Sequence, residues 1–268
     1  MLRIVSLAAL VLALAPLMCA QPTPVDPKTK FEVDTVKLSG PLVPGTPCGI
    51  RPQPGGQVYA AQCLPVKVML TAIYRLKPDQ IIGGPAWLDS ERYDVRGKAE
   101  KSSDGEDLHT MFKNLLADRF KLQVHFEKKA MSVYGLTVDK AGPKIKPHEA
   151  SNGGDPWIDQ AQSPFLHFKL TATFCPMEYF AWRLGQLVDR PIADMTNLKG
   201  GYDFTLEYTA DLPPNIPENA QINGAPIDTS GPNIFTAVRQ QLGLRLEPQK
   251  APVQVMVIDH VEKPSGDN

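Results

Sequence analysis

Residues 81–95 read Ile-Ile-Gly-Gly-Pro-Ala-Trp-Leu-Asp-Ser-Glu-Arg-Tyr-Asp-Val. The apolar residues before Gly-Gly-Pro and from the Tyr-Asp pair onward indicate two strands separated by a turn. Just upstream, Val66, Met69, Leu70 and Ile73 have the three-to-four spacing of one helical face. A helix followed by two strands is therefore the predicted building unit of this chain.

The same order of elements recurs along the chain. Residues 177–204 repeat the first unit in outline, with a helical pattern, a short apolar strand, two glycines and a second Tyr-Asp pair at 202–203. Two further units, 108–138 and 235–259, each combine a helical pattern with two alternating strands. A single helix on one hairpin buries too little apolar surface to be stable alone. We therefore predict an α+β fold with two related lobes, each made of two helix–β-hairpin units by internal duplication, with helices on small, mostly antiparallel sheets.

The predicted boundaries follow from these units and from the composition between them. In chain order they are a signal peptide 1–20, a Pro-rich leader 21–30, a first lobe 31–147, a linker 148–164, a second lobe 165–263 and a tail 264–268. Within the second lobe, the prolines, asparagines and glycines of 211–232 predict a mobile loop.

The amino end has the parts of an export signal. One charge at Arg3 precedes an apolar run from Ile4 to Leu17, and Ala20 offers a small residue for cleavage. The run is too short to span a bilayer, which takes roughly 20 apolar residues. We expect a periplasmic or secreted protein without a transmembrane span after cleavage. Lipid anchoring through Cys19 is the less favoured alternative.

Three cysteines remain after such cleavage, in a compartment where disulfides persist: Cys48, Cys63 and Cys175. Cys48 and Cys63 would close a short Gly- and Pro-rich loop, and we favour this pair. The rival pair is Cys63 with Cys175, because each stands just before a predicted helix.

Charge and motifs exclude several functions. The formal net charge is -1 and the 28 basic residues form no stripe, so nucleic acid is not an expected partner. No Gly-x-Ser-x-Gly elbow, phosphate-binding loop or His-Glu-x-x-His is found. The five histidines are also not spaced as metal ligands. We predict no cofactor, no metal and no catalytic residue.

Four separated motifs carry a family resemblance: 83–94, 115–122, 201–207 and 257–264. They resemble the soil-associated bacterial exported family, a domain of unknown function, over Phe31 to Pro264. The resemblance implies no established activity, cofactor or catalytic residue. Similar domains attached behind membrane metallopeptidases of the antibiotic-sensor type imply an extracytoplasmic sensing or docking role. Cys63-Leu64-Pro65-Val66 replaces the family's usual Asn-Val-Thr-Leu helix start, which removes a capping side chain and favours a local disulfide.

The function predicted from these features is an exported, non-catalytic binding, sensing or scaffold module. Its partner is an unidentified extracytoplasmic protein or envelope component, and its oligomeric state stays open. A large aromatic residue in a Gly-Pro loop is typical of binding surfaces. The candidate surface is therefore Gly83, Gly84, Pro85, Trp87, Leu88 and Tyr93, although core or lobe packing is the simpler role for Trp87.

Two alternatives from other classes remain. The first is a hydrolase of envelope or extracellular material, which would use a carboxylate pair such as Asp89 and Glu91 or a His–Asp pair such as His260 and Asp259. The second is a structural envelope protein that assembles with itself through exposed strand edges.

Overall fold

The computed structural model describes most of the chain after the predicted leader. The described residues are 29–43, 45–149, 156–162, 165–217 and 219–265. The predicted signal peptide, Cys19 and most of the Pro-rich leader lie outside the described residues.

The elements alternate between helices and strands as the repeated pattern predicts. The helices are α1 (Val66–Ile73), α2 (Trp87–Ser90), α3 (Gly105–Arg119), α4 (Met177–Gly185) and α5 (Ile234–Leu242). The strands are β1 (Val33–Leu38), β2 (Gly49–Pro52), β3 (Val58–Pro65), β4 (Ile81–Gly83), β5 (Arg92–Lys98), β6 (Gln123–Val138), β7 (Lys146–Pro147), β8 (Trp157–Gln162), β9 (His167–Pro176), β10 (Ile192–Asp194), β11 (Gly201–Thr209), β12 (Gln221–Ile222), β13 (Ala225–Pro226) and β14 (Leu244–His260).

The strands form three four-stranded sheets and one short pair. Sheet A has the order β1-β5-β3-β2 and sheet C the order β7-β11-β9-β8, and both are antiparallel. Sheet B has the order β10-β6-β14-β4, with an antiparallel centre and parallel outer strands. The predicted α+β class is confirmed. Strands β12 and β13 pair within 211–232, and the mobility of this loop stays a prediction.

The expected hairpin within the first and third units does not form. Strand β4 joins sheet B beside β14, whereas β5 lies in sheet A between β1 and β3. The third unit sends β10 to sheet B and β11 to sheet C in the same way. In the first unit, the turn at Gly83 and Gly84, both at φ +83°, and helix α2 separate the two strands. Two strands that are close in sequence therefore enter different sheets.

The second and fourth units each contain one long strand where two were expected. Strand β6 has 16 residues and β14 has 17, and they pair antiparallel along nearly their whole length. The polar stretch from Glu127 to Ala130 suggests a turn in the sequence, but its side chains face solvent along an unbroken strand. Because solvated strand residues and turn residues have similar polarity, the sequence pattern wrongly predicted two short strands here.

Two separate hydrophobic cores are joined by these long strands. The first core combines α1, α3 and sheet A with Met256 and Ile258 from the last part of β14. The second combines α4, α5 and sheet C with Leu136 from β6 and Leu244 from the start of β14. We call the structures around these cores the first and second lobes. Each long strand thus supplies one of its ends to each lobe.

The predicted linker 148–164 is partly sheet. Residues 157–162 form β8, the edge strand of sheet C, and Ile158 is buried in the second core. The strand was missed because its remaining side chains are exposed and most of them are polar. Described residues of this segment therefore belong to the second lobe.

The two Tyr-Asp pairs occupy equivalent positions in sheets A and C. Tyr93 is paired with Leu64 and Tyr202 with Cys175, in each case one residue before the proline that precedes a helix. This equivalence agrees with the predicted internal duplication, which stays a prediction.

The aspartates of these pairs hold a bulge in the neighbouring strand. The Cys63 backbone N–H donates to Asp94 at 2.7 Å, and that of Phe174 donates to Asp203 at 2.9 Å. Cys63 and Phe174 have φ values of 47° and 49°, a region that non-glycine residues rarely adopt. The carboxylates thus stabilise the strained turn that leads from strand into helix.

Replacing Asp94 with alanine is expected to lower the free energy of unfolding by about 1–3 kcal/mol, because the buried Cys63 N–H loses a charged acceptor. Asp89→Ala is the control, since Asp89 makes only an exposed ion pair with Lys67 and should cost under about 1 kcal/mol. Denaturant unfolding of both variants measures the difference. Equal losses in the two variants would contradict this role of Asp94.

Candidate functional site

The surface predicted from sequence around Trp87 combines buried and exposed residues. Leu88 and Tyr93 are 1% and 3% exposed in the first core. Trp87 is half-buried and stacks on Phe120, with ring centroids 6.3 Å apart. Leu88 and Tyr93 are therefore packing residues, and their assignment to a binding surface is wrong.

The glycines and proline of that segment are exposed. Gly83, Gly84 and Pro85 lie on the surface, and a Cβ at Gly84 would clash with Leu88. Glycine at this position is required by its positive φ and by the close approach of the Leu88 side chain. A binding role for these three residues stays a prediction.

The residues proposed as acid–base pairs for a hydrolase contact other partners, and the hydrolase alternative stays a prediction. Asp89 pairs with Lys67, and Glu91 accepts hydrogen bonds from Tyr93 and Lys263. Asp259 contacts His125 instead of His260, with Nδ1 and a carboxylate oxygen 2.9 Å apart. His260 contacts Glu262. Within the described part of the chain, no three His, Cys, Asp or Glu residues form a group that could hold a metal ion.

The cysteines follow the favoured pairing. Cys48 and Cys63 lie at disulfide distance, with Cα atoms 5.2 Å apart. Cys175 is a free thiol in the second core, and burial raises its pKa to about 12. The rival pair of Cys63 with Cys175 is therefore not formed.

A cleft between the two lobes gathers polar and aromatic side chains from both. It has a main part of about 570 Å³ and a side part of about 300 Å³, which share Arg75, Pro156, Tyr179 and Trp182. The turn after α1 forms one wall, α4 forms the other, and Val253 and Gln254 of β14 also line it. We call the whole space the inter-lobe cleft and the side part the arginine niche.

A lysine from the first lobe fixes the width of the inter-lobe cleft. Lys77 Nζ donates to the carbonyl oxygens of Gly185 and Val188, at 2.6 and 2.7 Å, just where α4 ends. A cation at a helix carboxyl end is favourable, because unpaired carbonyls point toward it. Burial lowers the pKa of Lys77. The lobes are thus joined by charge-assisted bonds beside the cleft.

Arginines and aromatic rings meet in the arginine niche. Arg75 forms an ion pair with Glu106 of its own lobe, and its guanidinium lies over the ring of Tyr179 from the other lobe, 5.1 Å from the centroid. Arg183 lies over the ring of Trp182 at 5.6 Å. Such cation–π contacts stabilise both the arginine and the ring orientation.

His109 and Tyr59 form the neutral back of the arginine niche. Burial lowers the pKa of His109 to about 4 and raises that of Tyr59 to about 12, so neither carries charge at neutral pH. The His109 Nε2–H donates to the Ile73 carbonyl at 2.6 Å. The Tyr59 hydroxyl then donates to Nδ1 at 3.4 Å, which fixes the imidazole tautomer.

One polar atom of the inter-lobe cleft is unsatisfied. The indole Nε1 of Trp182 is buried and has no hydrogen-bond partner among the described residues. A buried donor without an acceptor costs about 1–3 kcal/mol. Trp182 therefore keeps a buried, unpaired donor in the wall of the inter-lobe cleft.

Comparison with known proteins identifies the family of this chain but gives no activity. A family model described as "Protein of unknown function (DUF3738)" matches residues 67–261. The chain belongs to this family. No curated protein and no solved structure matches the chain.

The DUF3738 segment carries nearly all of the inter-lobe cleft, since it runs from Lys67 in α1 to Val261, one residue after β14. Strands β1 to β3 lie outside it and add Arg51 and Tyr59 to the arginine niche. No helix in the described ranges of this DUF3738 protein is long and apolar enough to cross a membrane.

Sequence reasoning missed the DUF3738 cleft, although α4 carries a signal for it. The buried positions of α4 are Met177, Phe180, Ala181, Leu184 and Gly185. Tyr179, Trp182 and Arg183 lie outside that set, so a helix of 9 residues carries a second, aromatic and basic face. Two large aromatic residues outside the buried set of α4 were the available indication.

Proposed function

We propose that this DUF3738 protein is an exported, non-catalytic binding module that holds a soluble ligand in the inter-lobe cleft. The observation that carries the proposal is the cleft itself, where aromatic and basic side chains from both lobes line a space large enough for a small ligand. Binding between lobes is a common arrangement because two surfaces can enclose one ligand.

Export is part of this proposal and rests on the amino-terminal pattern of residues 1–20. The disulfide-distance pair Cys48 and Cys63 supports it, since such bonds persist outside the cytoplasm. The resemblance to the soil-associated exported family, with similar domains behind membrane metallopeptidases, supports a sensing or docking role. A bound ligand would then report on the cell envelope or its surroundings.

The test is a thermal-unfolding screen with soluble glycan and peptide fragments released from a bacterial envelope by enzymatic digestion. A fragment pool that binds the folded protein should raise its melting temperature, and the rise should grow with the free-ligand concentration. Trp182→Leu removes the indole from the inter-lobe cleft and should abolish the rise. Trp157→Leu, at the mouth of the arginine niche, should reduce it.

Two results would contradict the proposal. An equal rise in wild type and Trp182→Leu would place binding elsewhere on the protein. Progressive mass changes in the incubated fragments, measured by mass spectrometry, would indicate turnover. They would contradict the proposal that the module is non-catalytic. Arg96→Met, on an exposed face of β5 outside the cleft, is the control that should behave as wild type.

A further inference from the structure

The charges of the arginine niche are unbalanced. Of the described residues that line it, Arg51, Arg75 and Arg183 supply three guanidinium groups and Glu106 supplies one carboxylate. Glu106 is already paired with Arg75. His109 is neutral and adds nothing to the balance. The niche therefore carries an excess of positive charge that a bound anion would neutralise.

Two of these arginines have no carboxylate partner. Among the described residues, no Asp or Glu lies within ion-pair distance of Arg51 or Arg183. Arg183 is partly buried beside the Trp182 ring, where water solvates its charge less well than on an open surface. Guanidinium groups match the planar fork of a carboxylate and bind it through two parallel hydrogen bonds.

Aromatic faces stand next to that charge. Tyr179 and Trp182 lie in both parts of the inter-lobe cleft, and Trp157 lines the arginine niche while 60% exposed. Large aromatic side chains favour contact with another ring by stacking or edge-to-face packing.

The dimensions limit the size of the occupant. The arginine niche has about 300 Å³, at the lower end of the volumes that ligand sites have. It accommodates one or two rings and not a folded partner.

We infer that the inter-lobe cleft binds a small compound with a carboxylate on a ring, with the carboxylate at Arg183 and the ring against Trp182 and Tyr179. This inference rests on the proposed function and specifies the ligand of the same site. An acidic sugar and an aromatic acid share this chemistry, and the experiment separates them.

The experiment is calorimetric titration of the exported protein with two matched pairs of probes. Benzoate with benzamide tests an aromatic ring, and glucuronate with glucose tests a sugar ring. At least one carboxylate should bind, and its neutral partner should bind about tenfold more weakly or worse, since the charge-assisted bonds are lost. The pair that shows this preference identifies the ring.

Arg183→Met keeps the bulk of the side chain and should remove the preference for the carboxylate. Arg51→Met, on an exposed edge strand, should reduce it, and Arg96→Met should leave it unchanged. The fold of each variant is checked by its near-ultraviolet circular dichroism. Rising salt should weaken carboxylate binding and leave binding of the neutral partner unaffected.

Four outcomes would overturn the inference. They are equal binding of charged and neutral partners, an unchanged preference in Arg183→Met, displacement by an equal concentration of inorganic phosphate, and no binding of either carboxylate at millimolar concentration. In each case the proposed function still stands if envelope fragments stabilise wild type and not Trp182→Leu. The two claims can therefore fail separately.

Discussion

Met256→Ala is expected to destabilise the first lobe by about 3 kcal/mol, although Met256 lies near the carboxyl end of the chain. Its side chain is 0% exposed and packs in the first core, so truncation leaves a cavity among large apolar side chains. Denaturant unfolding measures the loss, and amide chemical shifts in a nitrogen-15 spectrum locate it. The changes should concentrate in α1 and α3.

Leu136→Ala is the matched variant. Leu136 is also 0% exposed, but it lies on β6 and packs in the second core. Its truncation should shift the amides of α4 and α5 instead. If Met256→Ala shifted the amides of α4 and α5 instead, this would contradict the placement of the last part of β14 in the first core.

Acidification is expected to cost the protein up to about 3 kcal/mol through His109 alone, because burial lowers its folded-state pKa from 6.5 to about 4. Below pH 6.5 the unfolded chain gains a proton at this histidine and the folded protein does not. Stability is therefore lost as the pH falls from 6.5 toward 4, and the loss levels off once the folded protein is protonated too.

The groups that face His109 set this behaviour. Desolvation is the main cause, the Ile73 carbonyl opposes it, and the charges of Lys113, Arg75 and Glu106 contribute less. His109→Gln keeps an N–H donor for Ile73 but cannot titrate, so its stability should fall less between these pH values. Arg96→Met, on an exposed face of β5, is the control and should keep the wild-type slope, because arginine does not titrate between these pH values. An unchanged slope in His109→Gln would contradict the assignment.

Local patterns in the sequence predicted the helices well. The apolar spacing of Val66, Met69, Leu70 and Ile73 corresponds to α1, and all four side chains are buried. Helices α3, α4 and α5 also form where their spacing indicates. These predictions succeed because helical periodicity depends on residues that are three or four apart.

Strand pairing could not be predicted in the same way. Tyr134 has Pro248 and Ile192 opposite it, and neither position is near it in sequence. Polar residues such as Lys128 and Lys129 suit a turn and an exposed strand equally well. The pairing of β6 with β14 is decided by two cores that form at opposite ends of the same strands.

The candidate site depends on those distant pairings. Arg75 contacts Tyr179 only because the two lobes share their long strands. No local sequence motif therefore predicts the inter-lobe cleft. Trp87 was assigned to a candidate binding surface because it is an aromatic residue in a Gly-Pro loop. Its stacking on Phe120 was not visible in the sequence, since Phe120 follows another helix.

The most direct test of the central claim uses the three tryptophans of the chain, Trp87, Trp157 and Trp182. Each gives its own indole N–H signal in a nitrogen-15 spectrum, assigned by single Trp→Phe variants. The protein is titrated with the envelope fragments that stabilise it. If the ligand binds in the inter-lobe cleft, the Trp182 signal shifts most, that of Trp157 shifts as well, and that of Trp87 stays in place. A shift of Trp87 with Trp182 unmoved would contradict the account and move the binding site to the exposed turn at Gly83 to Pro85.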